Sequence, residues 1–285
     1  MIDLETTEVE GVTSDNNFEK EQNNDDQTVP SGDNFQNGQP SFGVEKTAMI
    51  FGQSEEDIGK EYKEYKAFKL FRRVDADLTS AKDSENLKLK INEAIKFGFG
   101  NVIVNPRQIK EAKKLILKNP IGVYGAVCYP YGEELYGVKK VAVRKTFQEG
   151  ADGVYLPVGT SDVKRGKYEN VKKEFTVIAR RYRHKKIFAV LEVAELDYMQ
   201  VERVVKILLK ANVAGIVSGS GHEIINRTFS GASDLHSLSG GKRTVVAYSG
   251  SEKSKDVVSL FSVADRVFLK NAPKIAMDLK ANLEF

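Results

Sequence analysis

The chain has 285 residues, 41% of them apolar, enough to bury one large core, since eight strand and helix units closed into a barrel take roughly 250 residues. Its formal net charge of +3 is unevenly laid out: residues 1–45 hold eleven acids and one lysine, −10 in all, which leaves +13 on the remainder. One cysteine, Cys128, excludes an internal disulfide, no apolar run nears the roughly 20 residues of a membrane span, and the acidic start is unlike a secretory leader, so a cytoplasmic location is expected.

Residues 1–45 are rich in Asn, Gln, Asp and Glu and poor in apolar side chains, a composition that does not offset the entropy of ordering, and they read as a disordered acidic tail. From residue 46 to the end the chain reads as one folded domain. Ser54 to Lys66 has a serine cap, acids in its first turn and lysines toward its end, the pattern of a leading helix that lids the bottom of the folded domain. Short β-branched runs then alternate with longer amphipathic stretches, which predicts parallel strands joined by helical crossovers. Strands are expected near 69–75, 101–104, 121–128, 152–157, 186–192, 214–218, 243–248 and 264–269. Gly98 and Gly150 sit where helices end, and Asp197 with Gln200 forms a capping-box pattern ahead of an apolar helix. The segment 218–243 is rich in Gly and Ser and leaves room for a short helix around 233–238. Eight such units fit a closed α/β architecture, the TIM (β/α)8 barrel, whose sites lie at the C-terminal ends of the strands.

Several stretches carry a resemblance that spans residues 72 to 281. Asn101-Val-Ile-Val-Asn-Pro-Arg-Gln-Ile-Lys-Glu-Ala-Lys113 gives a strand and the proline that opens the next helix, and Gly125-Ala-Val-Cys-Tyr-Pro-Tyr-Gly132 gives the third strand and its loop. Gly137 to Val143, Glu149-Gly-Ala-Asp-Gly-Val154 and Ile187 to Leu196 with Glu192 continue the pattern. Together they resemble the deoxyribose-phosphate aldolases, class I aldolases that cleave 2-deoxyribose 5-phosphate through a Schiff base on lysine. The resemblance implies a proton-relaying aspartate on strand four, a Schiff-base lysine ending strand six and a second lysine on strand seven. Tyr155, Val217 and Ala247 stand at those positions here, and Asp77 corresponds to a first-strand hydroxyl. Schiff-base cleavage requires an unprotonated amine, which neither valine nor alanine supplies. A catalytically inactive, aldolase-like pseudoenzyme with a binding, regulatory or assembly role is therefore expected. An active lyase on 2-deoxyribose 5-phosphate with relocated catalytic residues is the alternative.

Other polar groups fall at the expected strand ends: Asp75 and Asp77, Asn105, Tyr129, Tyr155, Glu192, Ser218, Ser220, Tyr248 and Lys270. Glu192 and Asp77 are the fallback pair for acid and base work, and Tyr155 with Glu192 a second possibility. His184, His222 and His236 are isolated in the sequence, with no metal spacing, and no cofactor is implied. The family holds phosphate on backbone amides after strands seven and eight, which maps to Ser220, Gly250, Ser251, Lys270 and Asn271 as anion-binding candidates for a sugar phosphate. The run Arg180 to Lys186 is strongly basic but closes a helix on the opposite face. It suits dipole compensation, plain solvation or docking of the acidic tail better than nucleic acid. The acidic tail or this basic surface could engage a protein partner, and a homo-oligomer is possible.

Overall fold

The computed structural model describes residues 65–222 and 228–282; the acidic tail and most of the leading helix lie outside the described residues. Eight parallel strands pair in chain order and close on themselves: β1 (Val74–Asp77), β2 (Asn101–Val104), β3 (Gly122–Ala126), β4 (Gly153–Pro157), β5 (Lys186–Val190), β6 (Gly215–Val217), β7 (Thr244–Ser249) and β8 (Arg266–Leu269). Closure is made by β8 on β1, with Asp75 in register with Phe268 on one side and with Asn101 of β2 on the other. Helices follow the strands: α1 (Ser84–Phe97), α2 (Ile109–Ile116), α3 (Tyr136–Gln148), α4 (Thr160–Lys164), α5 (Tyr168–Arg181), α6 (Tyr198–Ala211), α7 (Thr228–Ser239), α8 (Ser254–Leu260) and α9 (Ala272–Asn282). This is the TIM barrel that the alternating pattern implies.

The period of two along each strand separates two cores. Val102, Val104, Val123, Val154, Leu156, Ala189, Ile216, Val245, Ala247 and Val267 pack outward against the helices. Ile103, Tyr124, Tyr155, Phe188, Val190, Val217, Val246, Tyr248 and Phe268 fill the barrel itself. Local signals set the helix ends. Asp197 accepts from the Gln200 amide at 2.8 Å while the Gln200 side chain accepts from the Asp197 amide at 3.1 Å, the capping box of α6. Gly98, at φ 71°, closes α1 with its amide on the carbonyls of Ala94 and Ile95.

Two expected elements differ. Residues 65–71 are helical and β1 begins only at Val74, because Ala67 and Phe71 recur at a helical interval and bury together. Phe71 meets Phe97 and Phe99 edge-on, with ring centroids 6.0 and 6.1 Å apart. The short helix expected at 233–238 is the longer α7, which buries Gly231, Ala232, Leu235 and Ser239.

Candidate functional site

Tyr155 lies deep in the barrel and is fully buried. Its hydroxyl donates to Asp75 Oδ2 at 2.5 Å. Asp75 is equally buried, and its other oxygen accepts from Asn101 Nδ2 at 2.6 Å and from both Nε and Nη2 of Arg266, at 2.9 and 2.5 Å. Four strands thus meet on one carboxylate, toward the N-terminal end of the barrel. Burial and then the Asp75 charge hold the Tyr155 hydroxyl well above its ordinary value. Burial alone would lower the Arg266 value, but the Asp75 carboxylate outweighs it and keeps the guanidinium charged. Neither Asp75 nor Tyr155 is at the mouth, which corrects both expectations, and Tyr155 is partnered with Asp75 rather than Glu192.

Above this network, aromatic rings occupy the barrel axis. Tyr155 lies 5.3 Å from both Phe188 and Phe268, Tyr124 lies 5.7 Å from Phe188, and Tyr248 lies 5.6 Å from Phe268. Val217 is fully buried among them. On β7 the phase differs from the expected one: Ala247 packs outward with the helices, while Val246 and Tyr248 point inward. Neither phase brings an amine inside. The inner cluster contains no lysine among the described residues, and the lysines in phase with it, Lys186 and Lys270, stand exposed at opposite ends of the barrel. Lys139, the one lysine buried among the described residues, lies outside the barrel, its Nζ 2.9 Å from Glu174 Oε1 on α5.

The mouth is formed by Asp77, Tyr129, Glu192, Ser218, Ser220, His222 and Tyr248. Asp77 Oδ1 accepts from the amide and hydroxyl of Thr79, at 2.9 and 2.7 Å, and burial nonetheless raises its carboxyl above the usual range, with Thr79, Lys270 and His222 opposing. Glu192 Oε1 accepts from the Ser220 amide at 2.8 Å, the Ser220 carbonyl accepts from the Tyr129 hydroxyl, and the His222 amide donates to Ser220 Oγ at 3.4 Å. The Tyr129 ring stands edge-on to the His222 ring at 5.6 Å. Ser218 Oγ accepts from the Tyr248 amide at 3.0 Å. Burial, with Asp77 and Glu192 adding to it, pushes the Tyr248 hydroxyl up to about 12. Gly221, at φ 81°, passes directly over this ring; a Cβ there would fall 2.1 Å from Tyr248 Cζ, so the loop requires glycine. Asp77, Glu192 and Tyr129 at the mouth are thus bonded to Thr79 and to the backbone of Ser220.

Beside them a cavity of about 740 Å3 opens over β6, β7 and β8, lined by Tyr248, Ser249, Gly250, Ser251, Asp256 and Lys270 among others. It joins three anion candidates, Gly250, Ser251 and Lys270, and leaves out the other two. Ser220 is buried in the mouth network, and Asn271 turns its amide toward Glu252 Oε1 at 3.4 Å, while Lys274 Nζ donates to Glu252 Oε2 at 2.6 Å. Ser251 Oγ donates to Asp256 Oδ2 at 2.6 Å, so an acid occupies the hydroxyl that an anion would use. His222, Asp256 and Arg266 are the residues that sequence reasoning missed here. Arg266 alone was signalled, by sharing the inward phase of β8 with Phe268.

Among the described residues, no group of three or more His, Cys, Asp and Glu could hold a metal ion, and no helix is long and apolar enough to cross a membrane.

No family model matches the chain. It is similar to the deoxyribose-phosphate aldolase of Metamycoplasma arthritidis, 24% identical over 191 residues that cover 67% of this chain and 88% of the relative. A second such aldolase, of Caldicellulosiruptor saccharolyticus, is 24% identical over 187 residues, covering 64% and 84%. Among solved structures, the tetrameric deoxyribose phosphate aldolase of Aeropyrum pernix superposes with a TM-score of 0.70 at 19% identity, over 79% of this chain and 98% of that one.

Proposed function

We propose that this chain, a divergent relative of the deoxyribose-phosphate aldolases, is a pseudoenzyme that keeps their barrel for binding, regulation or assembly and has lost Schiff-base cleavage. The observation that carries this reading is the barrel interior. At the places where the resemblance calls for an aspartate and two lysines, the inward surface offers Tyr155, Val217 and, on β7, Val246 and Tyr248, packed with Phe188 and Phe268. Carbon–carbon cleavage through an imine needs an amine that is both unprotonated and in contact with the substrate carbonyl. Tyr155 cannot replace the relaying carboxylate, since its hydroxyl is committed to Asp75 and is out of reach of the mouth.

The cavity over β6 to β8 is where a sugar phosphate would sit without being turned over, with Lys270 and the Gly250 amide as its anion contacts. Binding there is expected to be weak, because Ser251 is bonded to Asp256 and Asp256 adds a negative charge. The reading predicts no cleavage of 2-deoxyribose 5-phosphate above the uncatalysed rate by the purified full chain, assayed beside an active family member. A cleavage rate that falls on substitution of Glu192 or Lys270 would establish the lyase alternative instead.

A further inference from the structure

The N-terminal end of the barrel, opposite the mouth, holds a second concavity of about 750 Å3. Its walls are the segments that lead into four successive strands, β5 to β8. Six cations line it, Arg183, Lys185, Lys186, Lys242, Arg243 and Arg266, against a single acid, Asp265. Part of this charge has a local explanation. The helices α5, α6 and α7 all finish at this face, and each helix end contributes roughly half a negative charge. Asp75 neutralises Arg266 from inside the barrel, and Lys185 is tied to the Ala151 carbonyl at 2.9 Å. After these, roughly two to three positive charges remain without a counter-charge. Arg183, Lys186 and Lys242 form no ion pair among the described residues.

Arg243 supplies an independent sign. Its Nε is buried and has no acceptor among the described residues. Its terminal nitrogens reach only neutral groups, the Lys242 carbonyl at 2.5 Å and the Asn212 side-chain oxygen. A guanidinium fork is matched by carboxylate or phosphate oxygens, and Arg243 has neither among the described residues. The lining also narrows the ligand. Its only rings are the imidazoles of His184 and His236, with no Phe, Tyr or Trp, so stacked bases would find a poor platform. Its volume is that of a small-molecule pocket rather than of a track for a long chain.

We propose that this basic concavity binds a compact polyanion carrying two or more phosphate groups, held chiefly by Arg183, Lys186, Lys242 and Arg243. The site is independent of the mouth and does not depend on whether the barrel is catalytically inactive. Phosphate oxygens would pair with the Arg243 guanidinium where it lines the cavity, and the exposed lysines would act as point charges around them.

The test is isothermal titration of the full chain with inorganic tripolyphosphate at low salt, compared with inorganic phosphate. Saturable binding of the tripolyphosphate is expected, tighter than that of phosphate and weakened by added salt. The double substitution Arg183→Gln and Lys242→Gln, at two exposed positions, should weaken it about tenfold or more, whereas Lys88→Gln, exposed on α1 and in neither cavity, should leave it unchanged. Circular dichroism establishes that each variant is folded, and Lys186→Gln alone serves if the double variant is not. No saturable binding at about 1 mM probe, or an affinity indifferent to these substitutions, would overturn the proposal. Tighter binding of an oligothymidylate about 15 nucleotides long, sensitive to the same substitutions, would overturn it in favour of single-stranded nucleic acid.

Discussion

Asp75 decides what the inside of this barrel can do. A carboxylate with no exposed surface is tolerable only because an arginine, an asparagine and a tyrosine supply four donor contacts to it. Tyr155 is one of those donors, which makes its hydroxyl a structural group and not a spare acid. The substitution Tyr155→Phe keeps the ring packing against Phe188 and Phe268 and removes one donor from a buried charge. It is expected to destabilise the fold by about 1–3 kcal/mol in urea unfolding. The same substitution should leave any binding at the mouth or at the opposite face unchanged. An unaltered stability would mean that Asp75 finds its donors elsewhere.

Between elements, the packing of α3 on α5 turns on a second buried pair. Lys139 and Glu174 are 2% and 8% exposed, and burial already raises the Glu174 carboxyl above its usual range while Lys139 opposes that rise. Lys139→Met leaves Glu174 in place without its counter-charge and should cost about 3–5 kcal/mol, read by urea unfolding at neutral pH. The paired change Lys139→Met with Glu174→Leu should recover most of that loss, because the charge and its partner leave together. At this scale the sequence is readable where one signal dominates. The β-branched run of β2, the capping box at Asp197 and the left-handed Gly98 each fix an element end by local chemistry. Lys66 to Phe71 is ambiguous, since its apolar residues satisfy both a strand and a helix. There the burial of Ala67 and Phe71 on one face settles the matter, and β1 starts later than its composition suggests.

Over the whole molecule, the closed eight-stranded barrel is legible because its alternation of strand and helix is repeated eight times, and an error at one unit does not change the count. The site is only half legible. That a valine, Val217, stands where the resemblance calls for a lysine is read from residue identity alone. The network on Asp75 joins residues 26, 80 and 191 positions apart in the chain, and no local spacing announces it. On β7 the turn-rich segment before the strand blurs its phase, so that Ala247 and not Val246 or Tyr248 is taken as the inward position. The two ends of the barrel also differ in kind. At the mouth Glu192 and Tyr129 are bonded to the Ser220 backbone, whereas the opposite end gathers cations whose charges are only partly met.

The proposed loss of Schiff-base cleavage requires that no usable amine lie inside the barrel, and borohydride trapping with 2-deoxyribose 5-phosphate, read by intact mass, tests that directly. The folded full chain should show no covalent adduct under conditions in which an active deoxyribose-phosphate aldolase is quantitatively trapped. An adduct on this chain, mapped by peptide analysis to Lys270 or to any other lysine, would contradict the loss of Schiff-base chemistry and restore a working lyase.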